Sequence, residues 1–251
     1  MCEVCGCGDA KKISVEVHAS LLSDNDREAR HLREHFVAAG VLALNVMGSP
    51  GSGKTALIEA TAQALGGRLR LAAVSADLAT SLDADRLARA GVPSAAITTG
   101  SACHLDATMV HHALHDGPLA AAVKGSDVFF LENVGNLVCP AIYDLGQAAN
   151  VVVLSVTEGV DKPLKYPVMF RKADLVVLSK VDLLPYLQGV SVAAIRDNLM
   201  QVMPSAGFIC LSATTGEGIQ VFVDWLDALR IGRSRGVSAA ERPEHSVVGP
   251  R

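Results

Sequence analysis

The sequence lacks three features that would point to nucleic acid, membranes or secretion. Its 26 acidic residues outnumber its 22 lysines and arginines, and the net charge of −4 provides no basic field for nucleic acid or anionic lipid. It has no run of about 18 apolar residues, so no membrane span is expected. The first residues are polar and rich in cysteine, unlike a secretory signal peptide. We therefore expect neither nucleic-acid nor membrane partners.

Aromatic residues are also scarce, at 4 %, and no internal repeat is present, whereas alanine, valine and leucine are abundant. From residue 41 onwards, continuous apolar runs alternate with helical patterns, as in parallel strands covered on both faces. Strands are predicted over Val41–Met47, Arg70–Ser75, Ser94–Thr98, Asp127–Glu132, Asn150–Thr157, Asp174–Ser179 and Gly207–Leu211. Helices are predicted over Thr55–Leu65, Asp83–Ala90, Leu105–His115, Val190–Val202 and Gly218–Leu229. The alternation predicts an α/β fold with a mostly parallel, doubly wound sheet flanked by helices.

The two ends of the chain have different patterns. Ser23, followed by early acidic residues, predicts a helix start, and the helix should end at Ala39 before Gly40. After Arg230 the chain is rich in arginine, serine, glycine and proline without periodicity, so residues 231–251 are predicted to be a disordered tail.

A glycine-rich loop lies between the first strand and the next helix. It matches the phosphate-binding pattern G-x-x-x-x-G-K-[ST] in the context that the pattern requires, which disfavours a chance turn and predicts a P-loop NTPase. Lys54 should reach the β- and γ-phosphates, and Thr55 should bind Mg²⁺. The rest of the phosphate cradle is predicted to be Gly48, Ser49, Gly51, Ser52 and Gly53.

Acidic residues at strand ends are candidates for the Mg²⁺ side of this site. Glu132 ends an apolar strand and could hold a Mg²⁺-bound water, unless it is an ordinary strand-end carboxylate. Gly135 could offer its N–H to the γ-phosphate. Asp77 is a second candidate near Mg²⁺ or the attacking water, and Asp83 and Asp85 compete for that role unless they only cap a helix. The predicted catalytic residues are Lys54, Asp77 and Glu132.

A base-recognition site is predicted after the next strands. Ser179-Lys180-Val-Asp182 resembles the Asn-Lys-x-Asp motif with which GTPases read guanine. Asp182 would accept the ring N–H and the amino group of guanine, which adenine cannot supply in that arrangement, and the Lys180 stem would lie along the base. Serine in place of asparagine should weaken or remove contacts to the base edge and to the phosphate loop. Ser212-Ala213 resembles the GTPase loop that supports the base through a backbone N–H.

Two cysteine groups predict metal sites. Cys2, Cys5 and Cys7 offer three thiolates beside glycines, and thiolates suit Zn²⁺, Cu⁺ and Ni²⁺. The terminal amine could be a fourth ligand, which would favour a square-planar ion such as Ni²⁺. Thiolates beside a nucleotide loop also favour a reducing cytoplasm over disulfides.

The second group consists of the adjacent Cys103 and His104 and of Cys139, which follows Gly135 by four residues. Because Gly135 should sense the γ-phosphate, its movement on hydrolysis should move Cys139 and change the affinity for metal. Three ligands leave a coordination gap that a symmetric partner could fill, so this site is predicted at a dimer interface.

The remaining cysteine and several histidines have simpler interpretations. His111 and His115 are four residues apart on a predicted helix and could bind metal, but with His112 they are more simply a polar helix face. Cys210 lies in the last predicted strand and is expected in the core.

Together these motifs closely resemble the HypB family, the nickel-incorporation GTPases of [NiFe]-hydrogenase maturation. The resemblance rests on Met1–Cys7, Gly48–Thr55, Cys103–Ala107, Glu132–Pro140, Ser155–Gly159, Asp161–Pro167 and Ser179–Pro185. It implies a slow, Mg²⁺-dependent GTPase that forms a homodimer with nucleotide. It also implies Ni²⁺ or Zn²⁺ at the Cys-His/Cys site, a tighter nickel site at the N-terminal cysteines, and Lys162 near the nucleotide. The implied partners are a HypA-type maturation protein and the hydrogenase large subunit.

The resulting interpretation is a cytoplasmic GTP-hydrolysing nickel metallochaperone with three segments. Residues 1–22 form a metal-binding tail, residues 23–230 the GTPase domain with its metal site, and residues 231–251 the disordered tail. Within the same class, a nickel GTPase for urease or a GTPase for a cobalamin enzyme would leave the N-terminal cysteines unexplained. A metal storage or sensing protein and an ATP-dependent small-molecule kinase with a structural zinc remain open alternatives.

Overall fold

The computed structural model describes residues 15–100, 102–115, 119–204 and 207–234. Within these ranges one sheet contains the strands β1 (Leu42–Met47), β2 (Leu71–Asp77), β3 (Ser94–Thr98), β4 (Val128–Glu132), β5 (Ala149–Ser155), β6 (Leu175–Ser179) and β7 (Gly207–Cys210). The helices are α1 (Val15–Ala38), α2 (Lys54–Leu65), α3 (Leu82–Arg89), α4 (Ala107–His115), α5 (Leu119–Gly125), α6 (Lys162–Lys165), α7 (Pro167–Arg171), α8 (Val192–Val202) and α9 (Ile219–Ser234).

All strand pairs are parallel, in the order β3-β2-β4-β1-β5-β6-β7. The predicted doubly wound parallel sheet is therefore confirmed. The central strand β1 lies between β4 and β5, and Val46 is level with Glu132 on one side and Val151 on the other. Since the chain reverses its direction of winding here, the carboxyl ends of β4, β1 and β5 form the crevice in which such sheets bind ligands.

Helices cover both faces of the sheet. Side chains of a strand alternate between the two faces, so each strand contributes apolar side chains to both layers of helices. Leu42, Leu44 and Val46 of β1 pack in a core with α2 and α9. Val41 and Ala43 pack on the opposite side with α1, α4 and α5. A third cluster joins β5 and β6 to α7 and α8. None of the described helices is long and apolar enough to cross a membrane.

The first helix starts earlier, and the last helix ends later, than the sequence predicts. Helix α1 begins at Val15 rather than after a cap at Ser23, and it crosses the proposed domain boundary at residues 22 and 23. Asn25 explains why this polar stretch stays helical: its side chain donates to Asp144 O and accepts from the Ala107 N–H, both at 2.9 Å, so tertiary contacts satisfy it. At the other end α9 continues to Ser234, so residues 231–234 of the predicted disordered tail are helical.

Candidate functional site

The phosphate loop connects β1 to α2 at the carboxyl edge of the sheet. Gly53, the residue before α2, has φ 99°, a conformation that glycine adopts at little cost. Ser52 donates its N–H to Ser49 O at 3.2 Å and closes the turn. The side chains of Ser49, Ser52, Lys54 and Thr55 are all buried. The loop therefore has the turn and the concentration of polar groups that the sequence predicts.

Lys54 is the first residue of α2, and its ammonium group turns back over the loop. Its Nζ donates to Ser49 O at 3.2 Å and to Gly48 O at 3.4 Å. Burial lowers the pKa of Lys54, while the nearby carboxylates, Glu132 above all, act in the opposite direction. A buried ammonium group with only carbonyl partners is suited to an anionic ligand.

Glu132, at the end of β4, faces Thr55. The Thr55 hydroxyl donates to Glu132 Oε1 at 2.6 Å, whereas the buried Glu132 Oε2 has no hydrogen-bond partner. Burial raises the pKa of Glu132, and the contacts with Thr55 and Lys54 oppose that rise. A hydroxyl and a carboxylate in contact beside a phosphate loop are the oxygen ligands that Mg²⁺ takes in such sites.

The other acidic candidates have separate positions. Asp77 ends β2, and its carboxylate accepts the backbone N–H groups of Ala79 and Thr80, which lower its pKa. Asp83 and Asp77 both lie close enough to Lys54 to raise its pKa, and Asp83 also raises the pKa of Glu132. Asp85 instead contacts the Ser81 hydroxyl at 3.2 Å at the start of α3. Asp83 and Asp77 therefore both remain candidates for the Mg²⁺ side of the site, whereas the carboxylate of Asp85 is engaged at the start of α3.

Ser179 corrects one expectation about base recognition. Its hydroxyl donates to Ser52 O at 2.6 Å, so the contact between this position and the phosphate loop is kept rather than lost. The short side chain suffices because β6 brings Ser179 directly against the loop, where it is buried. Lys180 is in the left-handed region at φ 61°, and its Nζ donates to Gly51 O at 2.7 Å. This conformation is uncommon for a residue other than glycine and is typical of functional sites.

The remaining base-recognition residues lie beside Lys180. Asp182 has a buried Oδ1 without a hydrogen-bond partner. Ser212 accepts the N–H groups of Thr214 and Thr215 at 3.2 Å, which closes the turn that holds Ala213. Among the described residues, buried side-chain oxygens without a hydrogen-bond partner occur at Glu28, Ser52, Glu132 and Asp182, and the last three lie at the predicted phosphate, Mg²⁺ and base positions. Since buried polar atoms rarely lack partners, these oxygens fit a nucleotide and its metal ion.

Cys103, His104 and Cys139 come together as the sequence predicts. Their ligand atoms all lie within 4.8 Å of one another, and Cys103 Sγ is 3.9 Å from His104 Nδ1. His104 is buried and stacked on Tyr143 with ring centroids 3.8 Å apart. Burial lowers the pKa of His104, which favours the neutral imidazole that binds metal. The group matches the donors that Zn²⁺ and Ni²⁺ accept.

The nucleotide and metal groups are linked through the segment after β4. Asn133 accepts the Leu105 N–H at 2.9 Å and donates to Asn45 Oδ1 at 3.2 Å. A Cβ added at Gly135 would lie 2.8 Å from Pro50 N, so Gly135 lies directly against the phosphate loop. Asn136 donates its N–H to Gly48 O at 3.1 Å. The chain from Glu132 to Cys139 therefore contacts both sites.

Comparison with known proteins agrees with this geometry. The family model of the CobW/HypB/UreG nucleotide-binding domain matches residues 42–209. A hydrogenase maturation factor HypB of Rhizobium leguminosarum is 46 % identical over 96 % of this chain and 76 % of its own length. The HypB of Escherichia coli strain K12 is 44 % identical over 89 % of this chain and 75 % of its own.

The chain belongs to the HypB family. The crystal structure of HypB from Helicobacter pylori in complex with nickel has a TM-score of 0.77 and 38 % identity, covering 89 % of this chain and all of that one. HypB of Archaeoglobus fulgidus gives 0.76 and 38 %, covering 83 % of this chain and all of that one. An LAO/AO transport system kinase, at 17 % identity and TM-score 0.52, covering 89 % and 79 %, shares the P-loop NTPase fold.

Glu158 is a residue of this HypB family member that the sequence analysis missed. Its Oε2 accepts the Ser49 hydroxyl of the phosphate loop, and its Oε1 accepts the Ser155 N–H at 2.9 Å. Ser155 and Glu158 form a capping box, whose S-x-x-E pattern is visible in the sequence and could have been recognised. Glu158 therefore ties β5 to the phosphate loop.

The other predicted residues have varied outcomes. Lys162 begins α6, and its Nζ is 5.2 Å from the ring centroid of Tyr166; its position near the nucleotide stays a prediction. Cys210 is half-buried in β7, and burial raises the pKa of its thiol to about 11, as expected of an inert core cysteine. Cys2, Cys5 and Cys7 lie outside the described residues.

Proposed function

We propose that this chain is a GTP-hydrolysing nickel metallochaperone that delivers Ni²⁺ to the [NiFe]-hydrogenase large subunit. The single observation that carries the proposal is the segment from Glu132 to Cys139, which contacts the phosphate loop and contributes to the Cys103–His104–Cys139 group. Relatives named hydrogenase maturation factor HypB, at up to 46 % identity, support the hydrogenase as recipient. A HypB structure in complex with nickel supports the cargo.

The nucleotide in this proposal is GTP with Mg²⁺. Thr55 and Glu132, with Asp77 or Asp83 nearby, would hold Mg²⁺, which neutralises phosphate charge when bound. Lys54 would exchange its carbonyl partners for phosphate oxygens. Asp182 Oδ1 would accept the guanine donors, which it can do because no protein group uses this oxygen. These residues would position the nucleotide and neutralise phosphate charge, so turnover by the isolated chain should be slow.

The metal group is the proposed cargo site. Two sulfurs and an imidazole suit Ni²⁺ or Zn²⁺ and leave coordination positions open. Val138 and Ile142, on either side of Cys139, are 45 and 48 % exposed, and this apolar surface suits the proposed homodimer interface. Cys2, Cys5 and Cys7 would supply the tighter nickel site. The further proposed partner is a HypA-type maturation protein, and the proposed compartment is the cytoplasm.

Coupling would follow from the shared segment. Gly135 packs against Pro50, and Asn136 is bonded to Gly48, so a rearrangement of the loop moves the chain that leads to Cys139. Asn133 would transmit the same change to Leu105, the neighbour of His104. Hydrolysis would then alter the distances among the three ligands and lower the affinity for metal.

The test compares nickel affinity in two nucleotide states. Full-length wild type and a Cys139→Ala variant are titrated with Ni²⁺ in the presence of GDP or of a non-hydrolysable GTP analogue. Wild type should show different affinities in the two states, and Cys139→Ala should lose both the interface site and the difference. Cys210→Ala serves as the control because its thiol lies outside the group. Equal wild-type affinities in the two states would contradict the coupling.

A second recipient is supported by some relatives. HypB proteins of Helicobacter hepaticus and Helicobacter pylori, at 41 and 40 % identity, are named hydrogenase/urease maturation factors. Supplying apo-hydrogenase and apo-urease separately with the nickel-loaded chain and GTP distinguishes the two roles by which enzyme gains activity. A storage protein would instead release nickel without GTP turnover.

A further inference from the structure

A second group of potential ligands lies between α1 and α4, away from every cysteine that the structure describes. His35 is on α1, and His111 and His115 are on α4. The ring centroids of His111 and His115 are 4.3 Å apart, and those of His35 and His115 are 5.5 Å apart. These rings border a surface cavity of about 400 Å³ together with His31 and Lys124.

The fold holds these histidines together. His111 and His115 are one helical turn apart and therefore share a face of α4. Leu32 and Phe36 of α1 and Leu114 of α4 are buried in one cluster, so the packing of the two helices is fixed by apolar contacts beside the histidines. Three imidazoles are thus carried on two rigid elements rather than on a loop, so the backbone positions of the ligands are fixed and only their side chains have to rotate.

Glu28 adds a carboxylate next to the cluster. It lies two helical turns before His35 on α1, and its Oε1 is 2.5 Å from His111 Nδ1, a close contact without hydrogen-bond geometry that leaves this buried oxygen without a hydrogen-bond partner. In metal sites a carboxylate commonly contacts one nitrogen of a ligating histidine, which orients the ring and directs the other nitrogen to the ion. A carboxylate in this position also favours a cationic over an anionic ligand.

We propose that His35, His111 and His115 form a separate site for one divalent transition-metal ion, with Glu28 orienting His111. Three imidazoles suit Ni²⁺, Zn²⁺ and Cu²⁺, and water completes the coordination. Among the described residues only the Cys103–His104–Cys139 group already has its ligand atoms within 4.8 Å, so the histidines close on the ion by side-chain rotation. The surface cavity of about 400 Å³ gives the rings room for that rotation. The site does not depend on the proposed nucleotide chemistry.

The local charges bear on metal binding in two ways. Burial, followed by the nearby His115, Lys124 and His111, lowers the pKa of His35, so its imidazole stays neutral and able to bind metal at neutral pH. Lys124 repels a cation, but its side chain is exposed and can turn its ammonium group towards water. Lys124 consequently distinguishes two kinds of ligand, because its positive charge would attract an anion and repel a metal ion.

The experiment uses the full-length chain with Cys2, Cys5, Cys7, Cys103 and Cys139 changed to serine, so that thiolate sites are removed. Equilibrium dialysis with Ni²⁺ at pH 7.5 should show one bound ion per chain. Co²⁺ bound in its place should absorb without a thiolate-to-metal charge-transfer band. In the same background, His111→Ala combined with His115→Ala, and His35→Ala alone, should abolish or weaken binding at least tenfold. Glu28→Gln should weaken it by about tenfold.

His112→Ala is the matched control, since His112 is on the same helix with its ring centroid 6.1 Å from that of His111. It should bind Ni²⁺ as the background does. Lys124→Gln should tighten Ni²⁺ binding by removing a positive charge. The proposal is overturned if the background binds no Ni²⁺ or if the histidine variants bind it unchanged. It is also overturned if Lys124→Gln weakens binding and inorganic phosphate binds instead, which would mark an anion site. Circular dichroism confirms that each variant is folded.

Discussion

The side-chain oxygen of Asn133 accepts the backbone N–H of Leu105 at 2.9 Å. Asn133 directly follows Glu132, which contacts Thr55 at the start of α2, and Leu105 directly follows His104. One buried hydrogen bond therefore joins the strand end of the nucleotide site to the loop of the metal group. Because both ends are buried, a displacement at either end must move the other or leave a polar group unpaired.

Replacing Asn133 by alanine should weaken the coupling between the two sites. In wild type, nickel affinity should differ between GDP and a non-hydrolysable GTP analogue on the order of 5- to 100-fold. In Asn133→Ala this ratio should become smaller while nickel still binds, because the three ligands and the contacts of Gly135 and Asn136 with the phosphate loop remain. Isothermal titration in both nucleotide states measures the ratio.

Asn45→Ala is the control for this variant. It removes the partner of the Asn133 amide group, so it costs a buried hydrogen bond of the same network but leaves the bond to Leu105. It should lower the stability without removing the nucleotide dependence. If both variants lose the dependence equally, general loosening of the site explains the effect and the specific role of Asn133 is wrong.

Replacing Lys54 by alanine should slow GTP hydrolysis about 100-fold or more, because the site loses the cation that stabilises charge on the transferred phosphoryl group. Phosphate release at saturating GTP measures the loss. Lys172→Ala is the control, since Lys172 is an exposed lysine at the end of α7. An unchanged rate in Lys54→Ala would mean that the loop does not bind the phosphates as proposed.

Replacing Asp182 by asparagine should change base preference. In the proposed site the carboxylate would accept the two guanine donors, whereas an amide would offer a donor that suits the carbonyl of xanthine at the same position. GTP affinity should fall roughly 10- to 100-fold, and XTP should bind better than GTP. Competition binding with GTP, XTP and ATP reports the order, with Asp197→Asn on the exposed side of α8 as the control. Preference for ATP in wild type would support the kinase alternative instead.

Replacing Glu132 by glutamine should stabilise the nucleotide-free protein and abolish Mg²⁺-dependent turnover. Burial raises the pKa of Glu132 above its ordinary 4.5, so the native state binds this proton more tightly than the unfolded chain does. The free energy of unfolding therefore falls as pH rises from 4.5 through the raised pKa. Glutamine carries no charge, so Tm at pH 7 should rise.

The pH series provides the check on that variant. The difference in Tm between Glu132→Gln and wild type should shrink as the pH falls below 4.5, where wild-type Glu132 carries its proton in both states. Thermal unfolding monitored by circular dichroism at several pH values measures it. A difference that stays constant with pH would show that packing, and not the buried charge, separates the two proteins.

The strands could be predicted from sequence because each is a largely apolar run, and all but the edge strands β3 and β7 are buried on both faces. The described part of the chain has a strand at every predicted position, with ends shifted by at most two residues, as in β2 and β5. The start of α1 could not be predicted, because Ser23 and Asp24 are typical cap residues and the bonds of Asn25 to Ala107 and Asp144 come from distant parts of the chain. Local patterns contain no information about such long-range partners.

The candidate site likewise has parts that the sequence predicts and parts that only the folded chain reveals. The motif around Lys54 and Thr55 is contiguous, so its turn and its role follow from a short segment of sequence. Ser179 had to be placed against Ser52 by the folded sheet before its contact with the loop could be seen, since 127 positions separate the two in the chain. The histidines of α1 and α4 likewise form a group only after the helices pack.

The sequence by itself determined the chemistry that this chain contains. It established the phosphate loop, the guanine-type motif, the soft metal ligands and the alternating elements that make a parallel sheet, because each depends on residue types at short spacing. Only the tertiary structure decided which groups touch. It brought Cys139 to Cys103 and His104, Glu132 to Thr55, and Asn133 to Leu105, because the winding of the sheet carries the ends of separate strands to one edge.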